Sequence, residues 1–524
     1  MGGTTRRRFL GGAAALGAGG TLAGVLERAA ALAGQPATSG QWLAGDLHVH
    51  TCFSHDVLCG GLSDDNTGPE DIYTYGWTVA QRFEQASERK LDYLAISDHD
   101  DIRALYDKGF GRPDVIALPC YESSIHGHAH MIGAKKKYDK GDSGAPAARA
   151  MARALRADGG IFQANHPAYS PFDQSLIVDP VNPDGACCSD CTTMNWKYGF
   201  DVVPDTIEAW NAASPPNSVA EGYWECWLDR GERLGATGGS DSHWVTTNSL
   251  QGPGQPCTWV FAPERSAAGV IAGLRAGRTS ISYAYPGLGG PLFVIEADAR
   301  GDGSFDAIAG DVVKPGTAMR VRVVRNPVSG SVRVRANGTT LLTAPLARGG
   351  EVHFTAPSDP GWVRASLLLD AADSPLALPC TLIAGESLLQ PSCRERHMLA
   401  AMTSAIYVAA PGHELPGLRV AVEPALPAAR LTAPGLQIGV TAAHPGAVRA
   451  QLKALVAGKH RVIAQALGEL QTPGLVDLQL TPTGAGHKLA RTLRKPLEAR
   501  LVVRHRDELT LKTRTVSRTV VLTA

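Results

Sequence analysis

Between Gln41 and Ser282 short apolar runs alternate with helical stretches, and run after run ends in a cluster of histidine and carboxylate. That alternation confines this half of the chain to βα units around a largely parallel sheet. The strand-like runs include Asp92–Ser97, Val115–Leu118, Gly160–Ala164, Thr206–Trp210 and Leu234–Thr237. Helical stretches separate them at Thr78–Lys90, Ala145–Arg156, Ser218–Arg233 and Ser266–Arg275. In closed barrels of this class chemistry gathers at the C-terminal ends of the strands. The clusters fall there: Asp46-Leu47-His48-Val49-His50-Thr51 with Ser54 and Asp56, then Ser97-Asp98-His99-Asp100, Glu122, Gly127-His128-Ala129-His130, Asn165-His166-Pro167 and Gly239-Ser240-Asp241-Ser242-His243.

Imidazole and carboxylate together form a ligand set suited to Zn, Mn or Fe in a hydrolytic site. His48 and His50 are two apart, so on a strand both rings leave the same side and can grip one ion. Asp241 and His243 repeat that spacing. A carboxylate has two oxygens and can serve two cations, whereas an imidazole usually serves one. No Gly-x-Ser-x-Gly elbow suggests a serine nucleophile. The pattern therefore reads as a metal-dependent hydrolase.

The same motifs resemble those of the polymerase and histidinol phosphatase (PHP) superfamily, and in particular its CehA/McbA-like metallohydrolases. The matching residues are Asp46-x-His48-x-His50-Thr51-x-x-Ser54-x-Asp56, Ser97-Asp98-His99-Asp100, Glu122, Gly127-His128-x-x-x-x-Gly133, Asn165-His166-Pro167 and Gly239-Ser240-Asp241-x-His243. The resemblance implies a distorted (β/α)7 barrel holding two or three divalent ions, with one on His48, His50, Glu122 and Asp241. Glu122 then bridges to a second ion on His128 and His166, and Asp56, His99 and His243 hold a third. His130 is placed to replace or assist His128. Asp98, His128 and His243 are the catalytic candidates, with Asp98 also readable as an acceptor that orients a ligand histidine. The implied reaction is direct hydrolysis by metal-held hydroxide, and a phosphoester leads because closely spaced cations match phosphoryl charge.

Three rivals stand beside that reading. CehA/McbA-like relatives include hydrolases of carbamates and amides, so an ester, carbamate or amide could occupy the same site. An amidohydrolase-type barrel also begins with His-x-His but ordinarily wants a bridging lysine, a role Glu122 fits better. In the third, the barrel is scaffold for a surface-binding protein. Near the motifs, His55 and His126 read as loop residues or proton donors, Lys135, Lys136 and Lys137 as a solvated face, and Cys52 as a small buried residue. Glu208, Trp210 and Asn211 read as rim residues that could line the pocket.

Lys plus Arg total 50 and Asp plus Glu total 50, so no global field steers the chain toward nucleic acid or an anionic membrane. The first residues, Thr5-Arg6-Arg7-Arg8-Phe9-Leu10 and a Gly-rich and Ala-rich apolar stretch, read as a twin-arginine signal over 1–33. That reading gives the chain the export machinery as a partner, a mature start near Gly34 without a membrane anchor, and a periplasmic or secreted destination. The 10 cysteines suit an oxidising compartment. Cys380 with Cys393 is one plausible pair, and Cys187, Cys188 and Cys191 are expected to pair with Cys59 or one another. The α/β hydrolase domain is expected over 40–284, a β-sandwich over 286–410 and a second small β-rich domain over 418–524. Asn337-Gly338 between two Val-rich runs is a strong hairpin signal. Asp298, Asp302 and Asp306 hint at calcium, but turn chemistry explains them better. The β domains are expected to be dispensable for the chemistry, so that a chain ending near Ser282 stays active.

Overall fold

The computed structural model describes residues 39–57, 76–167, 202–211, 218–243, 252–369, 399–409, 418–432, 435–442, 446–456, 458–470, 474–507 and 513–523. The signal over 1–33 and Cys59, Cys187, Cys188, Cys191, Cys380 and Cys393 lie outside these residues.

The described residues up to Ser282 form ten strands, five of them on the expected apolar runs: β1 (Gln41–Asp46), β2 (Tyr93–Ile96), β3 (Ile116–Pro119), β4 (Glu122–Ser123), β5 (Ala129–Ile132), β6 (Ile161–Ala164), β7 (Thr206–Asn211), β8 (Gly235–Gly239), β9 (Cys257–Ala262) and β10 (Thr279–Ser282). They form two sheets. In one, β1, β2 and β3 run parallel while β9 pairs antiparallel with β1, and β10 with β9. In the other, the order is β4-β5-β6-β7-β8, with β6, β7 and β8 parallel. Every residue of β2, β5, β6 and β8 is buried, as befits strands covered on both faces. The sheets meet through two isolated parallel bridges, Val49 with Ser242 and His99 with Glu122. Each bridge is made by segments carrying histidine and carboxylate clusters.

The helices lie close to their expected spans: α1 (Val79–Glu88), α2 (Ala145–Ala157), α3 (Ser218–Asp229) and α4 (Ala267–Arg275). Thr78 and Gln81 close a capping box that starts α1, and Ser266 caps α4 by accepting from the Gly269 amide. Among the described residues no helix is long and apolar enough to cross a membrane.

Beyond β10 the chain is β-rich, and the sheet that holds β10 continues into it. Strand Leu399–Thr403 pairs with β10 in the register Ser280–Thr403, Ile281–Met402 and Ser282–Ala401, and it pairs in turn with Gly361–Leu369. Trp362, Leu399, Met402 and Tyr407 share one hydrophobic core with Trp210, Trp224 and Trp227. The hairpin turns at Asn337 and Gly338, whose φ values of 48° and 78° suit a turn with both central residues left-handed. The carboxylate of Asp298 accepts the amides of Gly301, Asp302 and Gly303, so its oxygens serve a turn. The final strands form an eight-stranded sheet around a core of their own.

A buried ion cluster ties α3 to the β layer. Glu225 takes Arg335 in a two-bond fork at 3.0 and 2.9 Å and Arg364 at 2.7 Å, and all three side chains are buried. Removing Glu225 takes the paired carboxylate from buried Arg335 and leaves Arg364 with Glu221 at 3.1 Å. Glu225→Ala is therefore expected to cost about 3–5 kcal/mol in a urea melt, and a loss under about 1 kcal/mol would contradict this account.

Candidate metal centre

The His48–His50 and Asp241–His243 segments lie side by side as a short parallel ladder. The His50 amide donates to Ser242 O at 3.0 Å and the Asp241 amide to His48 O at 2.9 Å. Buried Asp46 anchors the ladder's base, accepting from the amides of His48, Ser240 and Gly254 at 2.9, 3.1 and 2.6 Å. Arg82 of α1 is fully buried behind it. Its guanidinium donates to His50 O at 2.9 Å, Ser242 Oγ at 3.0 Å and Ser242 O at 2.8 Å, fastening both ligand-bearing strands to one helix. Gly239 leaves room for this approach, since a Cβ there would come within 2.4 Å of His48 Cβ. His128, His166 and Asp241 have φ of 54°, 25° and 49°, backbone that side chains seldom adopt and that clusters at functional sites.

Five of the histidines expected to ligate a metal converge on Glu122, and Asp241, Asp56 and His243 join them through those rings. Its Oε2 lies 3.1 Å from His48 Nε2, 3.5 Å from His50 Nε2 and 3.4 Å from His99 Nδ1. Its Oε1 lies 3.2 Å from His128 Nδ1 and 3.5 Å from His166 Nε2. Asp241 Oδ1 is 3.1 and 3.2 Å from the Nε2 atoms of His48 and His50. Asp56 Oδ2 is 3.2 Å from His99 Nε2 and 2.8 Å from His243 Nε2. For donors bound at about 2.0–2.2 Å around one tetrahedral ion, neighbouring donors stand about 3.3–3.6 Å apart, so most of these gaps are close to ion-sized. Among the described residues four overlapping groups bring one donor atom per residue within 4.8 Å of one another and could hold an ion: His50, Asp56, His99 and His243; His48, Glu122 and His130; His48, His166 and Asp241; and His99, Glu122 and His128.

A second layer aims these groups. Glu208 Oε1 lies 2.9 Å from His48 Nδ1, and its Oε2 accepts the His166 amide at 2.9 Å. Asn211 donates to both Glu208 and Asp241. Ser54 bonds His50 Nδ1 at 3.1 Å and Asp56 at 2.7 Å, Ser124 lies 2.8 Å from His99 Nδ1, and Asn165 donates to Glu122 Oε1 at 2.8 Å. Such partners set ring tautomers and keep ligand lone pairs pointed inward.

Burial opposes charge throughout this site, and the neighbours outweigh it at Glu122, Asp241 and His99 but not at His50. Against burial, His48 and then His128 and His166 hold the Glu122 carboxyl well below its usual range. His48 and His50 do the same for Asp241. Burial and the adjacent His243 push His50 down to about 3, while Asp56 and Glu122 overcome burial to lift His99 to about 9. Ionised carboxylates thus sit among imidazoles of two kinds, His48 and His99 held toward the charged form and His50 and His130 held away from it.

Some neighbours depart from expectation. Asp98 is fully buried, and both its oxygens accept from Thr51, the amide at 2.5 Å and the hydroxyl at 2.7 Å. It braces the loop after His50 and stands outside the candidate cation groups found among the described residues, and burial pushes it up to about 7. Glu208 is fully buried behind His48 and does not line a rim. Cys52 is buried, as expected, but is also disulfide-bonded, as is Cys226. His126 is buried with Nδ1 2.8 Å from Ser123 Oγ, and Lys135, Lys136 and Lys137 are solvated as expected. Arg82 carried no sequence signal, because an arginine in an amphipathic helix ordinarily faces water. Asn165 and Ser54 lay within the motifs and could have been singled out.

No family model and no curated protein matches this chain. Among solved structures it is similar to a two-domain Bacteroides vulgatus protein described as containing a predicted PHP-like metal-dependent phosphoesterase. The identity is 14%, with 64% of this chain and 93% of that chain covered and a TM-score of 0.34. It is also similar to the fibronectin(III)-like modules of Clostridium thermocellum CbhA, at 11% identity over 44% of this chain and 92% of that one, with a TM-score of 0.14. Likenesses this low leave the site to be judged on its own geometry.

Proposed function

We propose that this chain is an exported metal-dependent hydrolase of the PHP superfamily, CehA/McbA-like, built on a distorted (β/α)7 barrel and acting on phosphoesters. The observation that carries the reading is the placement of Glu122, whose two oxygens each face a different set of imidazoles at near ion-sized gaps. Two or three divalent ions, Zn, Mn or Fe, fit the donors: one among His48, His50, Glu122 and Asp241, a second among Glu122, His128 and His166, a third among Asp56, His99 and His243. Bound there, they would concentrate positive charge on the substrate's oxygens and acidify a water. The protein holds the oxygens and nitrogens in register and excludes bulk water from the inner face. His128, 43% exposed, turns Nδ1 toward Glu122 and lies at the open side, where a substrate meets the cluster. His243 joins Asp56 to the Asp241 strand at that cluster's other carboxylate.

Elemental analysis of the purified protein, followed by turnover of nitrophenyl phosphates against naphthyl esters, tests the reading. Metal with phosphate ester turnover supports it, and metal with ester turnover alone moves the substrate to esters, carbamates or amides. Absence of metal and of any turnover would leave the barrel a scaffold. Chelation should also destabilise the fold, since a ligand present at 100 times its dissociation constant contributes about 2.7 kcal/mol. A melting temperature unmoved by chelator would argue that no ion is held.

A further inference from the structure

His48 and His130 are both fully buried with ring centres 4.3 Å apart, yet the groups behind them have opposite polarity. Behind His48 Nδ1 stands the Glu208 carboxylate at 2.9 Å, which can only accept. A proton therefore sits on Nδ1, and with a cation standing between it and the carboxylates of Glu122 and Asp241 the Nε2 lone pair is the one left to bind.

Behind His130 Nδ1 stands the side-chain amide of Gln163, at 3.3 Å. Which end of that amide faces the ring follows from a chain of bonds anchored at a carboxylate. Glu122 Oε1 accepts, so Asn165 presents its NH2 there at 2.8 Å and turns its oxygen toward Gln163. Gln163 must answer with its own NH2, at 3.0 Å, and the same NH2 reaches His130 Nδ1. The other end, Gln163 Oε1, receives the hydroxyls of Thr206 and Thr237 at 3.0 and 2.8 Å. His130 Nδ1 is an acceptor, which leaves its proton on Nε2. That Nε2 is buried, and no group among the described residues accepts from it.

A buried ring nitrogen beside His48 and Glu122 would ordinarily be a metal ligand, and His130 belongs to one of the cation-holding groups. A nitrogen that bears hydrogen has no lone pair to give. We infer that His130 is a hydrogen-bond donor to the centre and not a ligand, its Nε2–H reserved for an oxygen that the protein does not supply, from water or from a phosphoryl group. An unmet buried donor costs about 1–3 kcal/mol, which such an oxygen relieves. The inference rests on the cluster holding cations.

The test is histidine-selective 15N NMR of the unaltered protein, metal-free, metal-loaded, and metal-loaded with inorganic phosphate. His130 should keep Nε2 protonated in all three. A shift of its Nε2–H on metal loading alone identifies water as the acceptor, and a shift only with phosphate identifies the phosphoryl oxygen. Loss of the Nε2 proton on metal loading would make His130 a ligand and overturn the inference while leaving the metal centre intact. A chain that binds no metal would instead sink the centre. In parallel, His130→Gln, whose amide can still donate, should bind metal within about 3-fold of the unaltered protein, whereas His48→Asn should weaken binding more than about 10-fold. Equal losses in the two variants would count against the donor role.

Discussion

Glu122→Gln is expected to strip metal from the protein and abolish hydrolysis. The substitution keeps shape and volume but replaces one carboxylate oxygen by an NH2 group, which donates and cannot ligate. Whichever way the amide turns, one of its two faces loses its acceptor: the His48 and His50 side or the His128 and His166 side. Asn165, which donates to Oε1 at 2.8 Å, adds a preference, since it can bond only the remaining oxygen. The NH2 would then face His48 and His50. Disturbing groups that merely orient ligands already costs about 10–100-fold, so a ligand shared between two sites should cost more than about 100-fold in turnover. Metal content per chain should fall by at least one ion. A variant that kept its full metal complement and more than a tenth of the activity would remove Glu122 from the centre and, with it, the bridged arrangement.

A chain ending at Ser282 is expected to fail to accumulate as soluble protein, even though every candidate ligand lies before that point. The cut leaves β10 without its partner strand Leu399–Thr403 and bares the core face that Trp362, Leu399, Met402 and Tyr407 cover. Four such side chains contribute about 2 kcal/mol each, comparable to the whole net stability of a domain. The cut also strands Glu225, buried in α3, without Arg335 and Arg364. A chain ending at Ala409 keeps all of these contacts and gives up the Arg514–Glu232 ion pair, so it should remain soluble and bind metal. Comparing soluble yield and metal content of the two chains checks the argument. Soluble, active protein from the shorter chain would show that the β layer is dispensable after all. Dispensable for chemistry and dispensable for folding are different properties, and the continuous sheet separates them.

The candidate ligand set was legible because its spacing is local. His48 and His50, or Asp241 and His243, need only a strand's two-residue period to share a side, and a strand's end to reach a cavity. The strands Tyr93–Ile96, Ile116–Pro119, Ile161–Ala164, Thr206–Asn211 and Gly235–Gly239 and the four helices beside them followed from apolar periodicity, and the Asn337-Gly338 turn from the positive φ its two residues tolerate. The supporting groups were opaque for a different reason. Glu208 lies 160 residues from the ring it orients, and Arg335 and Arg364 lie 110 and 139 residues from Glu225. A charged side chain on its own gives no sign of whether it faces water or a distant counter-charge.

Composition and order along the chain were thus enough to specify which imidazoles and carboxylates gather and that strand ends carry them. Only the folded molecule decided that Asp98 braces Thr51, that Arg82 fastens two ligand strands, and that His48 and His130 receive opposite partners behind otherwise similar rings. The physical reason is that ligation depends on residue identity, which is written locally, whereas the direction of a lone pair depends on which neighbour the third dimension brings behind it.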